Sequence, residues 1–437
     1  MNNETVASIT TPIGEGGIGV IQVSGPRSLE IVNSIFRGKK KNKDLRKAES
    51  KRLYYGEIYV NEATVDEVII NVFRKSDSFT GEDLVEVNCH GGIRAVKKTL
   101  ECIVSSGAKE VHWNELARRS FMNSKIDVIQ EEALREIPQA KTKLGAKVLL
   151  DQYNGSLSSF INNLIEKLEQ KDDIKQQVYH IHDKLEEILE TSTFGYAITS
   201  PQRLIITGKP NAGKSTLINT LLGEDRSIVH SRPGTTRDAV DSVISIGGIP
   251  LTIVDTAGIR ETNHKVEKLG VSESKKQLRK ADKIIFMLDN SRPVEKEDKE
   301  ILGLILDNLA IDNTNNNYHT TPVVTVINKI DLHSKLDPAA LGTKRLGPIC
   351  RISASKGDGI SELEENLIVE FKKYTGYIAK KPVIFTKRQQ KYLSEALHIS
   401  KQCISLIVEG KDLNEYSNLV NAVSQDLLNC MKQTKIN

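Results

Sequence analysis

The chain lacks most of what holds secreted, zinc-bound or membrane-spanning proteins together. Its 437 residues contain five cysteines, at 89, 102, 350, 403 and 430, with no Cys-x-x-Cys pair. An odd, scattered set argues against a disulfide framework and against a structural zinc site, and it fits a reducing compartment. No apolar run approaches the roughly 18 residues a membrane span needs. The opening Met1-Asn2-Asn3-Glu4 starts no signal peptide, so a cytoplasmic, membrane-free location is expected. An excess of one charge is missing too. With 61 Lys and Arg against 57 Asp and Glu, the net charge is +4, which neither demands nor excludes a nucleic-acid partner. The basic stretch from Arg37 to Lys47 reads as a solvated loop. Apolar content of 38% and charged content of 27% are ordinary for a soluble protein. The length calls for two or three domains.

The chain is organised around Gly208-Lys209-Pro210-Asn211-Ala212-Gly213-Lys214-Ser215, a G-x-x-x-x-G-K-S phosphate-cradling loop. Leu204 to Thr207 before it reads as a buried strand. Thr216 to Leu222 after it places Leu217, Ile218, Leu221 and Leu222 on one helical face. That order aims backbone N–H groups and a helix N-terminus at a polyphosphate. Lys214 is placed to reach the outer phosphates and Ser215 to ligate Mg²⁺.

Further motifs follow in order. His230-Ser231-Arg232-Pro233-Gly234-Thr235-Thr236 supplies Thr236 as a second Mg²⁺ ligand and γ-phosphate sensor. Asp255-Thr256-Ala257-Gly258 ends a strand, with Asp255 set to hold Mg²⁺ through water and Gly258 to offer its N–H to the γ-phosphate. Asn328-Lys329-Ile330-Asp331 decides the base. Asp331 can accept from guanine's ring N–H and exocyclic amine, donors that adenine lacks there. Ser353-Ala354-Ser355 matches the last guanine-contacting loop. The GTP-binding set also takes in Asn211, Ala212, Gly213 and Thr216 of the first motif. Gln directly after D-x-x-G, which orients water in Ras-type switches, is replaced by Ile259.

Elsewhere the pattern is α+β up to about residue 118 and then helical. Gly14 to Gly19 formally matches G-x-G-x-x-G, but Val20 to Gly25 after it is a strand rather than the helix a dinucleotide fingerprint requires. Ile174, Val178, Ile181, Leu185 and Ile188 form a packed-helix seam. His180 and His182 in that helix read as ordinary helix residues. Helical character returns after the nucleotide module, so the module is read as an insertion into a helical domain.

TPIGEGGIGVIQVSG (11–25) and SFTGEDLVEVNCHGG (78–92), together with the phosphate loop, resemble the tRNA-modification GTPase family, MnmE or TrmE. The resemblance implies a multidomain fold. An α+β, aminomethyltransferase-like N-terminal domain at 1–118 would bind folate and dimerise. An α-helical domain would take 119–200 and 375–437, and an inserted α/β P-loop G domain 201–374. It implies a homodimeric GTPase that acts with an MnmG-type flavoprotein, as a heterotetramer, at C5 of the wobble uridine of tRNA. It also implies a K⁺ ion in place of an arginine finger, held by Asn211, by Thr235 and by carbonyls near His230 and Arg232. Glu267 corresponds to the water-orienting glutamate. Of the folate contacts, Glu86 and Lys125 match those of the family, whereas Gln22 stands where Arg is usual. Glutamine lacks arginine's charged fork, so 5-formyl-tetrahydrofolate is expected to bind weakly or not at all. Family members end in Cys-Ile/Leu-Gly-Lys; here Asn429 to Asn437 carries no such ending, and Cys430, on the stripe from Tyr416, reads as core. The alternative reading is a divergent GTPase switch that has lost the modification chemistry. A ribosome-assembly GTPase of the Era or EngA kind is disfavoured, because the helical tail has no G-x-x-G loop.

Overall fold

The computed structural model describes residues 4–39, 44–61, 63–170, 173–223, 242–254, 277–312, 322–342, 347–374, 376 and 381–432. The chain forms two compact units. One holds Met1–Pro138, Gln152–Asp172 and Leu413–Asn437; the other holds Gln139–Asp151 and Asp173–Asp412.

In the first unit the described residues build a seven-stranded sheet from β1 (Val6–Ile9), β2 (Ile18–Ser24), β3 (Phe36–Gly38), β4 (Arg52–Val60), β5 (Ala63–Phe73), β6 (Leu84–His90) and β7 (Lys109–Glu110). Their spatial order is β3-β4-β5-β6-β2-β1-β7. Strict alternation decides which face is buried. Ile21, Val23, Val68, Ile70, Val72, Val85 and Val87 point into one core with Leu29, Ile31 and Val32 of helix Ser28–Ile35 and with Leu100 and Ile103 of helix Ile93–Ser105. The other face carries cross-strand rows fixed by register: Leu53, Asn71, Glu86 and Gln22 in one, Tyr55, Ile69, Asn88 and Val20 in the next. Leu53, Tyr55 and Ile69 are exposed there.

In the glycine-rich stretch it is Gly19, already inside β2, that serves packing. A Cβ on Gly19 would lie 2.2 Å from Val96 Cγ2, and one on Gly91 would lie 1.9 Å from the Gly16 carbonyl oxygen. Glycine is needed there so that a helix can sit on the strand, in agreement with the rejection of a dinucleotide site. Helix Leu413–Met431 packs against helices Ser156–Glu169 and Val128–Glu136 of the same unit. It buries Tyr416, Val423, Leu427 and Cys430.

In the second unit, β8 (Gln202–Gly208), β9 (Ser242–Ile246), β10 (Ile249–Val254), β11 (Lys283–Asp289), β12 (Val323–Asn328) and β13 (Ile349–Arg351) form a six-stranded sheet ordered β13-β12-β11-β8-β10-β9. Every pair is parallel except β9–β10. The strands are near-continuous apolar runs because both faces are covered. Leu204, Ile206, Ile285, Met287, Val324 and Val326 feed one core, and Ile205, Ile284, Phe286 and Leu288 feed the other. The first core also takes in Val148, Phe194, Ala197, Ile198 and Val383 from flanking helical and connecting segments. A Cβ on Gly195 would lie 1.8 Å from the Ile384 carbonyl oxygen, so helix Ser192–Thr199 touches that segment through bare backbone. Helix Lys387–Val408 packs along helix Ile174–Leu189. It buries Leu393, Ala396, Ser400 and Cys403, with Tyr392 and Ile399 only half-buried. Sequence spacing of four, three and four puts Tyr392, Ala396, Ile399 and Cys403 on one stripe; Ala396 and Cys403 are buried as that predicts, while Leu393 and Ser400 take the places of Tyr392 and Ile399. His182 Nδ1 lies 3.0 Å from Ser400 Oγ in this seam, a side-chain contact between helices.

Candidate functional site

The carboxyl ends of a parallel sheet leave backbone groups and polar side chains facing one crevice, where ligands of such folds bind. Gly208, Asp289 and Asn328 are the last residues of β8, β11 and β12, and Ser353 follows β13 by two residues. The phosphate loop leaves β8 at Gly208, where a Cβ would meet the Met287 carbonyl oxygen at 2.3 Å. Its backbone then alternates in hand: Asn211 has φ +62° and Gly213 φ +101°, the kind of alternation that turns successive N–H groups to one side as an anion-binding nest. Asn211 N–H has no acceptor among the described residues. Lys214 opens helix Lys214–Leu221. Its ammonium donates to the carbonyl oxygens of Gly208 and Lys209, both at 2.8 Å, so it already lies over the loop that it would share with a phosphate. Ser215 and Thr216 are exposed on the first turn.

Asn328 ties the site together. Buried to 2% exposure, it donates Nδ2 to the Ala212 carbonyl (2.9 Å) and accepts at Oδ1 from the Ala354 N–H (2.9 Å). One side chain thus fixes the phosphate loop and the Ser353-Ala354-Ser355 loop at once. A Cβ on Gly213 would strike Asn328 Nδ2 at 2.1 Å, which explains glycine there beyond its backbone conformation. Thr220 Oγ1 adds a second tie by donating to the Ala354 carbonyl at 2.8 Å. Lys329, also at positive φ, donates to the Asn211 carbonyl (2.8 Å) and to Asp289 Oδ2 (2.6 Å). Burial pushes the Asp289 carboxyl up, but hydrogen bonds from Lys329 and Ser291 outweigh it and hold the group below its ordinary value. Asp331 is exposed and accepts at Oδ1 from Ser353 Oγ at 2.8 Å. That bond lowers its carboxyl below the usual range, so it is a carboxylate at neutral pH with lone pairs left for a base.

Of the expected nucleotide residues, the structure brings together Asn211 to Thr216, Asn328, Lys329, Asp331, Ser353, Ala354 and Ser355. His230, Ser231, Arg232, Pro233, Gly234, Thr235, Thr236, Asp255, Thr256, Ala257, Gly258, Ile259 and Glu267 lie outside the described residues. Sequence reasoning missed Asp289. Its signal was available: a lone acid at the carboxyl end of the apolar run Ile284 to Leu288. Glu295 and Asp298, whose carboxylates flank the Lys209 ammonium, had no local signal at all.

In the first unit Gln22 and Glu86 stand opposite each other on β2 and β6, and Gln22 Nε2 donates to Glu86 Oε1 at 2.7 Å. Asn71 continues this row on β5, with Oδ1 buried and unpartnered. Lys125 lies elsewhere in the unit. It donates to the Ser76 carbonyl (3.1 Å) and lines an open cavity of about 610 Å³ with Arg74, Lys75 and Asn123. Gln22 and Glu86 are not among that cavity's lining residues. No described helix is long and apolar enough to cross a membrane.

Residues 5–125 match the family described as "GTP-binding protein TrmE N-terminus", and residues 203–329 match that described as "50S ribosome-binding GTPase". The "tRNA modification GTPase MnmE" of Clostridioides difficile (strain 630) is 34% identical over 461 aligned residues, spanning 98% of this chain and 97% of that protein. The protein of the same name from Desulforamulus reducens is 36% identical, spanning 95% and 91%. That of Staphylococcus epidermidis is 34% identical, spanning 98% and 93%.

Proposed function

The chain belongs to the tRNA modification GTPase MnmE family, and we propose that it hydrolyses GTP with Mg²⁺ and K⁺ to drive wobble-uridine modification alongside an MnmG-type flavoprotein. It is a GTP-hydrolysing enzyme of tRNA modification. The observation that carries the nucleotide reading is the Asn328 bridge between Ala212 and Ala354, with Asp331 oriented by Ser353 beside it. The Asp331 carboxylate, placed to accept from guanine, and the phosphate cradle are thereby held in one frame.

The available donors suit both ions. Ser215 presents a hard hydroxyl oxygen on the exposed first turn of its helix, which suits Mg²⁺; Thr236 completes the protein's share in this reading. Asn211 presents a side-chain carbonyl oxygen from an exposed position in the loop, with Thr235 and the carbonyls near His230 and Arg232 as co-ligands. A cation there supplies positive charge beside the breaking β–γ bond. Glu267 orients the attacking water in this reading.

The domain organisation proposed is 1–118, 119–200 with 375–437, and 201–374. The exposed Leu53, Tyr55 and Ile69 on the open sheet face support a homodimer, which joins the flavoprotein in a heterotetramer on tRNA. Formyl-tetrahydrofolate fits only in part. Glu86 and the unpartnered Asn71 oxygen suit the N–H edge of a pterin, but Gln22 is neutral and Lys125 belongs to a different cavity. Calorimetry is expected to show at most weak binding; micromolar or tighter affinity overturns this.

Genetic complementation tests the main reading. A strain carrying this gene in place of its own family member should install the aminomethyl-type group on wobble uridine, lose it in the Lys214→Ala variant, and lose it when the flavoprotein gene is deleted. The purified protein should run at about twice its 48.6 kDa chain mass. Normal GTPase activity with no modified uridine would sink the assignment.

A further inference from the structure

One charged cluster at the phosphate loop is not used by the nucleotide reading. Lys209, the second residue of the loop, holds its ammonium against two carboxylates from outside the motif. It donates to Glu295 Oε2 at 2.5 Å and lies 3.8 Å from Asp298 Oδ2. Its side chain is only 12% exposed and that of Asp298 8%. Asp298 Oδ2 also accepts the Glu295 N–H at 2.9 Å, so the Asp298 carboxylate is fixed at the start of helix Lys296–Asp312, whereas the Glu295 side chain is 52% exposed. Around them, Pro210, Ala212, Arg292, Pro293 and Leu336 leave a gap of about 10 Å³, roughly the space of one water. Glu295 raises the Lys209 amine above its ordinary value, and Lys209 in turn lowers the Glu295 carboxyl.

Two residues further on, Asn211 adopts positive φ with its N–H lacking any described acceptor. A non-glycine residue in that region persists only where its surroundings hold it. The Asn211 stretch is held from two sides. Lys329 grips the Asn211 carbonyl, and Lys209 anchors the loop ahead of Pro210. Proline fixes its own φ near −65°, so the anchor and the strained residue are joined by a stiff link.

We propose that Lys209, clamped by Glu295 and Asp298, is a positioning residue for GTP hydrolysis. It sets the direction of the Asn211 N–H and side chain while charge develops on the nucleotide. The inference rests on the GTPase reading and adds a residue that touches neither nucleotide nor metal. Nucleotide held by Gly213, Lys214 and Ser215 at the helix start depends little on the clamp. Transition-state charge beside Asn211 depends on it directly.

The test compares Lys209→Met, Lys209→Arg, Glu295→Gln and the double variant Lys209→Met/Glu295→Gln in the full-length protein. Lys209→Met should lower kcat about tenfold while GDP affinity and melting temperature stay near wild type. Lys209→Arg should recover most of kcat. Glu295→Gln should cost little further in the Lys209→Met background, since a shared interaction is lost only once. Unchanged kcat in Lys209→Met overturns the proposal. So does a fall in kcat matched by equal loss of GDP affinity or by a lowered melting temperature, which marks a merely structural ion pair. A wild-type protein without GTPase activity would instead defeat the reading on which the proposal rests.

Discussion

Replacing Asp331 with asparagine is expected to lower GTP and GDP affinity by about 10²–10⁴-fold. Two charge-assisted hydrogen bonds to guanine are lost, at roughly 1.5–3 kcal/mol each, and each ~1.4 kcal/mol is about a factor of ten. The fold around the site should survive, because Ser353 can still donate to the Oδ1 of the new side chain as it does to Asp331. The amide nitrogen then faces the base as a donor, opposite guanine's own donors. Xanthine carries an oxygen where guanine carries the amine, so xanthosine diphosphate should bind the variant better than GDP does. Fluorescence titration with both nucleotides measures this. A GDP affinity within about threefold of wild type would remove Asp331 from the base site.

Asn211→Ala should abolish potassium stimulation and lower kcat in KCl by at least about 10²-fold, toward the rate in NaCl. A cation doing an arginine finger's work stands in for a contribution of roughly 10³–10⁵ in rate, and the side-chain oxygen is what the variant removes. Alanine is also strained at positive φ, by about 1–2 kcal/mol. Asn211→Gly therefore belongs in the same experiment, since it keeps the backbone shape and deletes only the ligand. Both variants should bind GDP nearly as wild type. Potassium dependence unchanged in Asn211→Gly would refute the cation role of this residue.

The nucleotide site was legible in the sequence because its parts are local. A strand, a tight glycine-rich turn and a helix start are contiguous at Leu204 to Leu222, and the motifs that begin at Asp255, Asn328 and Ser353 each close or follow an apolar strand. The division of labour within those motifs was not legible. That Asn328 is a structural bridge and Asp331 an exposed carboxylate depends on β12 lying between β11 and β13, which no spacing encodes. The Lys209 clamp pairs residues 86 positions apart; on the sequence Glu295 is one acid among several at a helix start. In the first unit the family resemblance singled out Gln22 and Glu86, but only register put them opposite each other. Nothing along the chain marks Asn71 as their neighbour. The core stripe of helix Lys387–Val408 was misplaced at Tyr392 and Ile399 because Ser400 is buried against another helix and Tyr392 is not. Polarity alone ranks those two the other way.

The hydrophobic cores bear on how this protein is made. The core under β8 and β10 draws on residues from Val148 to Val383. The first unit draws on Tyr416, Val423, Leu427 and Cys430, far from the strands built from its first 110 residues. A ribosome delivers the chain from its N-terminus. The nucleotide-bearing sheet therefore keeps part of one face open until Val383 emerges, whereas the opening sheet's own core is complete at Ala108. The first sheet can close while most of the chain is still to be made, and it is the helices sharing its unit that need Leu413–Met431 to pack on them.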